Sequence, residues 1–335
     1  MAHIEQLPPG PLAIIGDIHG EREALDDLLT HLDRDHGDHH LVFLGDLADR
    51  GPDSPGVIRR VRERMARGAQ CILGNHELSV IREKYKKYNQ WYFSDQDVWK
   101  PEETGQAPVS MALLPEEERE DVRAFFERLP LALERDDLRV VHACWDTWAI
   151  DRVRDSEESI LELFDDGPKN TLPKPASLTD PDHGRDQRDP EWEGAEERQQ
   201  NQNAIAVLTS GKERRARDPQ EIVWSGNQWR PLVRVRWWDE YDEETPVVIG
   251  HYSRMWRPED LDEKTKLMFP SGQPAGAPRG LRDNVYAIDY AVGARYAERH
   301  KGVSEGFKGR LGALLWDAEG PSRILFDDGE YGEVR

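Results

Sequence analysis

Short apolar runs recur along the chain, and each is followed by Gly, His, Asp or Asn. They are rich in β-branched and aromatic residues and are too short for amphipathic helices, so they predict buried strands. The predicted strands cover residues 12–15, 41–44, 71–73, 138–142, 246–250 and 285–288.

Helical periodicity occupies the intervals between the first three runs. The stretch EREALDDLLTHL places Leu25, Leu28, Leu29 and Leu32 on one face, and SPGVIRRVRERMARG begins at a Ser-Pro pair and ends at a glycine. Alternating strands and helices predict a layered α/β fold. Near the C-terminus, residues 311–329 predict a hairpin.

Two segments depart from this alternation within what we expect to be one domain over 1–335. Residues 83–135 are charged, aromatic and helical in pattern, which predicts a helical insertion. Residues 151–220 are poor in apolar residues and rich in Asp, Glu, Pro and Arg. This second insertion is either a solvated excursion or a lid over the functional site, since long loops often carry function.

Composition limits the partners of the protein. The 335 residues include 66 acidic and 45 basic ones, a net charge of −21. Such a surface repels nucleic-acid backbones, so a phosphate-bearing ligand needs local positive charge from arginines or metal ions. Cys71 and Cys144 lie in apolar runs and are expected to be buried free thiols. The N-terminus lacks a leader pattern and no run approaches about 18 apolar residues, which predicts a cytoplasmic protein without membrane contact.

The ends of five predicted strands carry chemically active side chains. Carboxylate, imidazole, amide and guanidinium groups follow the strands at Asp17, His19, Asp46, Asp49, Arg50, Asn75, His76, Glu77, His142 and His251. A helix cap or a tight turn explains one Asp or Gly, but it requires neither His nor Arg. Ligands bind at this edge of open α/β sheets, so the sequence predicts a site there.

The side-chain types at these strand ends suit metal ions. Oxygen and imidazole donors without cysteine favour Mn²⁺, Fe or Zn²⁺ over a thiolate site. Two ions roughly 3.5–4 Å apart can hold both oxygens of an in-line phosphoryl displacement. Asp46 follows the second of the first three predicted strands and is the natural bridge between two such ions.

Three blocks, GDIHG (16–20), GDLADRG (45–51) and GNHE (74–77), resemble the calcineurin-like metallophosphoesterase family. They are most similar to its phosphoprotein phosphatase branch, which includes Ser/Thr protein phosphatases and symmetrical diadenosine tetraphosphatases. The resemblance implies a layered α/β/β/α sandwich with helical and loop insertions. It also implies two metal ions and a bridging hydroxide that attacks phosphorus in line.

The resemblance further implies a role for each matching residue. Asp17 and His19 would hold the first metal together with Asp46. Arg50 would bind the substrate phosphate. His76 would protonate the leaving oxygen, oriented by Asp49, because a neighbouring carboxylate favours the acid form of an imidazole. The second metal would be held by Asp46, Asn75, His142 and His251.

Departures from the family pattern leave the substrate open. The first late histidine is followed by ACW, which differs from Gly-Gly of the protein phosphatases and from Ala-Gly of the diadenosine hydrolases. Several arginines are candidates for the family's second phosphate-binding arginine, and Arg236 and Arg254 are the two predicted to bind substrate. The others are Arg214, Arg215, Arg230 and Arg234. Trp237 and Trp238 are either core residues or a platform for a purine.

Three functions remain in competition. The leading prediction is a metal-dependent phosphomonoesterase like the Ser/Thr protein phosphatases, acting on phosphorylated protein. The alternative is a symmetrical dinucleoside polyphosphate hydrolase, which uses the same metals on a phosphoanhydride bond. A binding protein on an inactive phosphatase fold is the third. An insertion that closes over the cleft would favour the small nucleotide, and an open groove would favour protein.

Overall fold

Two β-sheets form the centre of the protein. A computed structural model describes residues 2–86, 88–93, 110–182, 187–224, 228–261, 265, 268–269 and 272–334. The first sheet has the spatial order β15 (Tyr331–Glu333), β14 (Gly320–Phe326), β13 (Gly312–Asp317), β2 (Leu12–Ile15), β3 (His40–Phe43) and β4 (Gln70–Cys71). Strands β2, β3 and β4 are parallel, and β13 pairs antiparallel with β2.

The second sheet brings the later histidines beside the first sheet's motifs. Its spatial order is β1 (Ile4–Gln6), β5 (Ala132–Arg135), β6 (Leu138–Val141), β11 (Val247–Ile249) and β12 (Val285–Ala287). Strands β6, β11 and β12 are parallel. Two small antiparallel ribbons complete the described strands: β7 (Glu213–Arg215) with β10 (Leu232–Arg234), and β8 (Val223–Trp224) with β9 (Trp229–Arg230).

Helices connect and cover the sheets. The described α-helices are α1 (Arg22–Asp35), α2 (Ser54–Met65), α3 (Asn75–Ile81), α4 (Gln90–Phe93), α5 (Glu116–Glu127), α6 (Thr147–Arg154), α7 (Ile160–Asp166), α8 (Pro190–Asn201), α9 (Ala204–Ser210) and α10 (Arg295–His300). Short 3₁₀ turns occur at Ala176–Thr179, Pro219–Glu221, Trp237–Asp239, Pro258–Asp260 and Val292–Ala294. None of the described helices combines the length and apolar character that crossing a bilayer requires.

Successive side chains along a strand point to opposite faces of its sheet, and this alternation divides the core into layers. Ile14 and Val42 of the first sheet pack in one cluster with Val140 and Val248 of the second, so the inner faces of the sheets meet. The intervening residues, such as Ile15, belong to another cluster with the leucines of α1 and with residues of α2, α6 and α9. This arrangement confirms the predicted α/β/β/α fold.

The six strands and two helices predicted from periodicity are confirmed, with ends that differ by up to three residues. Residues 132–135 were expected in the helical insertion but form β5, because β5 is pinned between β1 and β6. Residues 94–109 of that insertion, and 183–186 of the polar insertion, lie outside the described residues. Cys71 and Cys144 are buried free thiols, as expected.

Candidate active site

The predicted site residues converge where the carboxyl ends of both sheets meet. Asp17 follows β2, Asp46 follows β3 and Asn75 opens α3 after β4. His142 and His251 follow β6 and β11 of the other sheet. Side chains that are far apart in the sequence therefore reach one centre between the sheets.

Several of these residues have a backbone conformation that side chains usually avoid. The φ angles of His19, Asp46, Asp49, Arg50 and His251 are 49°, 45°, 73°, 72° and 59°. Left-handed geometry at a non-glycine residue costs of order 1–3 kcal/mol and persists only where surrounding contacts enforce it. Such geometry in five residues of one site indicates that the turns are built to aim side chains.

The Asp46 carboxylate is the hub of the cluster. Its Oδ2 atom lies 3.4 Å from Nε2 of His142, 3.8 Å from Nε2 of His76 and 3.9 Å from Nε2 of His19. Two groups of possible metal ligands share this carboxylate: one consists of His19, Asp46 and His76, and the other of Asp46, His142 and His251. Within each group, one ligand atom of each residue lies within 4.8 Å of those of the other two. Asp46 is thus the residue that both groups share, and its role as a bridge between two metal ions stays a prediction.

Asn75 and Asp17 flank this hub. The amide oxygen of Asn75 lies 2.9 Å from Nδ1 of His251 and 3.4 Å from Nε2 of His142. The carboxylate of Asp17 lies 3.9 Å from Nε2 of His19 and accepts the backbone N–H of His251. All six residues predicted as metal ligands are therefore gathered in one cluster.

The electrostatics of the cluster call for added positive charge. Burial, followed by the nearby carboxylate of Asp289, raises the pKa of Asp17 well above its usual range. Burial also acts to raise the pKa of Asp46, but His142 and His76 outweigh it and hold this pKa well below the usual range. Buried carboxylates at such close quarters are stabilised by a cation or a shared proton.

The histidines are oriented as metal-binding histidines usually are. Nδ1 of His142 donates to the carbonyl of Leu44 at 2.7 Å, and Nδ1 of His19 donates to the carbonyl of Ala48 at 3.2 Å. Each bond leaves the Nε2 lone pair facing Asp46. In metal sites, a ligand histidine usually donates its other ring N–H to a carbonyl or carboxylate in this way. Nε2 of His251 is buried without a hydrogen-bond partner among the described residues. The Asp, His and Asn donors therefore fit metal ions.

His76, the predicted proton donor, is fixed by Asp49. Nδ1 of His76 lies 2.5 Å from Oδ2 of Asp49, whose side chain is fully buried. The other oxygen of Asp49 accepts the indole N–H of Trp91 at 2.6 Å. Sequence analysis missed Trp91, since a tryptophan in an aromatic helical segment has no feature that separates it from a core residue.

Two arginines face the histidines of the cluster. Nη1 of Arg50 lies 3.0 Å from Nε2 of His19. Arg234 donates to the carbonyl of His251 at 3.2 Å and stands over the ring of Tyr252. Arg234 was one of several open candidates, and its position in β10 beside His251 could not be derived from chain order.

The other two predicted substrate-binding arginines line the same cleft. Arg236 pairs with Asp239 at 2.9 Å and is partly exposed. The side chain of Arg254 is buried, with its guanidinium 4.8 Å from the ring centroid of Phe269. Trp237 and Trp238 are buried and are not among the described residues that line the cleft, which supports their interpretation as core residues.

A cleft of about 1220 Å³ opens over the cluster. Its floor includes Asp17, Asp46 and His76. Part of its wall comes from the polar insertion, and part comes from the two ribbons. The residues that line this wall include Lys84, Asn170, Lys174, Trp192, Trp229 and Arg230.

Comparison with known proteins agrees with this geometry. The model of the family described as calcineurin-like phosphoesterase matches residues 10–254, which is most of the chain. The chain belongs to the calcineurin-like phosphoesterase family. Members of this family use a dinuclear metal centre, and the His and Asp groups of this chain fit metal binding.

Curated relatives of the chain are named as symmetrical bis(5'-nucleosyl)-tetraphosphatases. The one from Janthinobacterium sp. (strain Marseille) is 32% identical over 129 residues, which is 38% of this chain and 42% of the relative. The one from Edwardsiella ictaluri is 43% identical over 68 residues, or 20% of this chain and 24% of the relative. These matches span less than half of the relatives' length.

The solved structures to which the chain is similar include two phosphatases. A Saccharomyces cerevisiae protein serine/threonine phosphatase with similarity to human PP5 is 14% identical, with a TM-score of 0.47 over 99% of this chain and 84% of that one. A cold-active protein-tyrosine phosphatase of a psychrophilic Shewanella is 15% identical, with a TM-score of 0.48 over 100% of this chain and 83% of that one.

Glu77 braces the turn that carries Asp46. Its carboxylate accepts the backbone N–H groups of Asp46 at 2.8 Å, Leu47 at 2.9 Å and Gly74 at 3.1 Å. Glu77 is fully buried and does not line the cleft. It therefore joins the second and third blocks through the backbone.

We expect Glu77→Gln to lower the free energy of unfolding by about 1–3 kcal/mol, because the amide nitrogen cannot accept a buried N–H. Chemical denaturation of the metal-free protein measures this. Glu23→Gln, an exposed change in the first turn of α1, is the matched control and should change the free energy of unfolding by less than about 0.5 kcal/mol. Equal stability of the two variants would contradict the bracing role.

Proposed function

We propose that this phosphoesterase hydrolyses small polyphosphorylated nucleotides of the dinucleoside polyphosphate type. The observation that carries the proposal is the wall of the cleft. Asn170, Lys174 and Trp192 of the polar insertion line it, so the insertion encloses space above the cluster. A walled cleft favours a small ligand, whereas a protein substrate needs an open groove.

The charge of this wall suits a chain of phosphates. Burial lowers the pKa of Lys84, and the cations of Arg82, Arg230 and Lys174 lower it further, opposed by Glu196. Positive groups from three segments thus gather in a protein with a net charge of −21. Clustered cations at a cleft attract a polyanionic ligand.

Aromatic residues in the wall of the cleft are suited to stacking on a nucleotide base. Trp192 and Trp229 line the cleft together with the cations, and the indole N–H of Trp229 donates to the carbonyl of Asp180 at 2.8 Å. Stacking of a base on an aromatic ring contributes about 1–3 kcal/mol. The curated relatives named as tetraphosphatases support the same substrate class.

The proposed metal ligands follow from the cluster. Asp17, His19 and Asp46 would hold one ion, and Asp46, Asn75, His142 and His251 would hold the other. We propose manganese, with iron or zinc as substitutes, since the donor set lacks thiolate. Bound ions would supply Lewis acidity and water that ionises near neutral pH.

The remaining residues would bind the phosphate and move one proton. Arg50 and Arg234 would bind phosphate oxygens from the two sides of the cluster, as guanidinium groups do. His76 would donate its Nε2 proton to the leaving oxygen, since its Nδ1 is held by Asp49 and its Nε2 faces Asp46. Arg236 and Arg254 would contact more distant parts of the substrate.

A phosphoserine or phosphothreonine protein is the second candidate substrate. The negative surface supports it, because it would attract basic phosphopeptides. An inactive binding protein has less support, since the six proposed metal ligands, together with His76 and Arg50, lie in or beside the cluster.

One assay tests the proposal. With Mn²⁺-loaded protein, kcat/KM for diadenosine tetraphosphate should exceed kcat/KM for phosphoserine and phosphothreonine peptides. Lys174→Gln should lower the dinucleotide value about threefold or more and leave p-nitrophenyl phosphate unchanged, because only the longer substrate reaches the wall. Lys169→Gln, which alters a lysine paired with Asp165 and absent from the cleft lining, is the matched control. Faster turnover of the peptides would favour the protein phosphatase instead.

Removal of metal should abolish hydrolysis, because the buried carboxylates alone cannot activate water. We expect dialysis against a chelator to eliminate turnover, and added Mn²⁺ to restore it and raise the Tm by mass action. Turnover that survives thorough chelation, checked by elemental analysis, would exclude the metal-dependent mechanism.

Asp46→Asn and His76→Asn should each lower kcat at least about 10²-fold while circular dichroism stays unchanged. The first weakens the bridge between the two metal sites, and the second removes the proton donor. Asp38→Asn, at an exposed carboxylate beside α1, should keep full turnover. Normal kcat in either site variant would refute the role assigned to that residue.

A further inference from the structure

The indole of Trp91 makes a contact that its place in the core does not require. Trp91 lies in α4, is fully buried and packs in the large apolar cluster. Its N–H donates to Oδ1 of Asp49 at 2.6 Å. A tryptophan N–H usually finds some acceptor when buried, but here the acceptor is the carboxylate that holds the predicted proton donor.

The carboxylate of Asp49 is held at both oxygens. Oδ2 contacts Nδ1 of His76 and Oδ1 contacts Trp91. The terminal torsion of an aspartate is broad, so one hydrogen bond alone leaves the carboxylate plane free to turn. The second bond fixes this plane and therefore the line along which His76 is oriented.

The same segment also holds the backbone of the turn. The backbone N–H of Arg50 donates to the carbonyl of Tyr88 at 3.3 Å, and Asp49 N–H donates to Oγ of Ser54 at 3.0 Å. Asp49 and Arg50 are both left-handed, so they depend on such contacts. Residues 88–91 thus touch this turn at the backbone and at the side chain.

We infer that Trp91 is a positioning residue for the reaction, aligning the Asp49–His76 pair so that the Nε2 proton of His76 points at the leaving oxygen. This inference rests on the proposed function, because it assumes that His76 is the proton donor. It assigns part of the helical insertion to the catalytic step. Trp91 itself touches no reacting atom.

The test compares two tryptophans in matched settings. Trp91→Phe keeps the ring in the core and removes the N–H. The control is Trp237→Phe, since Trp237 is also buried and its N–H donates to the carbonyl of Ala143 at 2.9 Å, away from the Asp49 carboxylate. Both variants are assayed as metal-loaded full-length protein.

The first measurement varies the leaving group. p-Nitrophenolate departs without a proton, whereas phenolate from phenyl phosphate benefits from one. We expect Trp91→Phe to lower kcat for phenyl phosphate about tenfold, with KM unchanged, and to affect p-nitrophenyl phosphate much less. Trp237→Phe should change both substrates by the same factor. Equal effects of Trp91→Phe on the two substrates would overturn the inference.

The second measurement does not depend on turnover. Proton NMR of the protein loaded with diamagnetic Zn²⁺ should show the His76 Nδ1 proton far downfield, because its hydrogen bond is short. Trp91→Phe should shift or broaden this resonance, and Trp237→Phe should leave it in place. An unmoved resonance in Trp91→Phe would also overturn the inference. Wild-type protein that hydrolyses neither the aryl phosphates nor diadenosine tetraphosphate would instead count against the proposed function, while the NMR comparison would still decide whether Trp91 fixes the pair.

Discussion

The buried carboxylate of Asp46 is the group around which the rest of the site is arranged. Imidazoles from both sheets face it, and an anion in the interior is tolerated only where positive or donating groups surround it. The sandwich supplies those groups by bringing the carboxyl ends of two sheets together. Glu77 then holds the backbone that aims Asp46. The arrangement of the two sheets and the arrangement of the site therefore meet the same requirement: a negative charge buried between two apolar layers must be stabilised.

Much of this arrangement follows from local sequence. The apolar runs that become β2, β3, β6 and β11 are short and end in polar residues, so their periodicity and their chemistry point to the same edge. The three blocks are local motifs, and their residues need only the strand ends to come together. That is why the cluster around Asp46 could be predicted before any geometry was known.

Other parts depend on contacts that no local pattern encodes. Strand β1 is three residues of ordinary polarity, and it is a strand only because β5 lies beside it. Arg234 and Arg236 are two residues apart in one run, yet the first faces His251 and the second pairs with Asp239. Strand β10 ends at Arg234 and a 3₁₀ turn begins at Trp237, so the strand geometry that would place residues two apart on one face does not extend to Arg236. The contact of Trp91 with Asp49 is likewise a product of tertiary packing.

The partner of β2 has a consequence for how the protein folds. Ile14 pairs with Leu314, so the strand that carries Asp17 completes its sheet with residues from the far part of the chain. These residues also lie well beyond the region that the family model matches. Contacts between such distant residues raise contact order, which slows folding because a long loop must close first. During synthesis on the ribosome, the edge that carries the candidate active site would thus be among the last parts of the protein to take its final form.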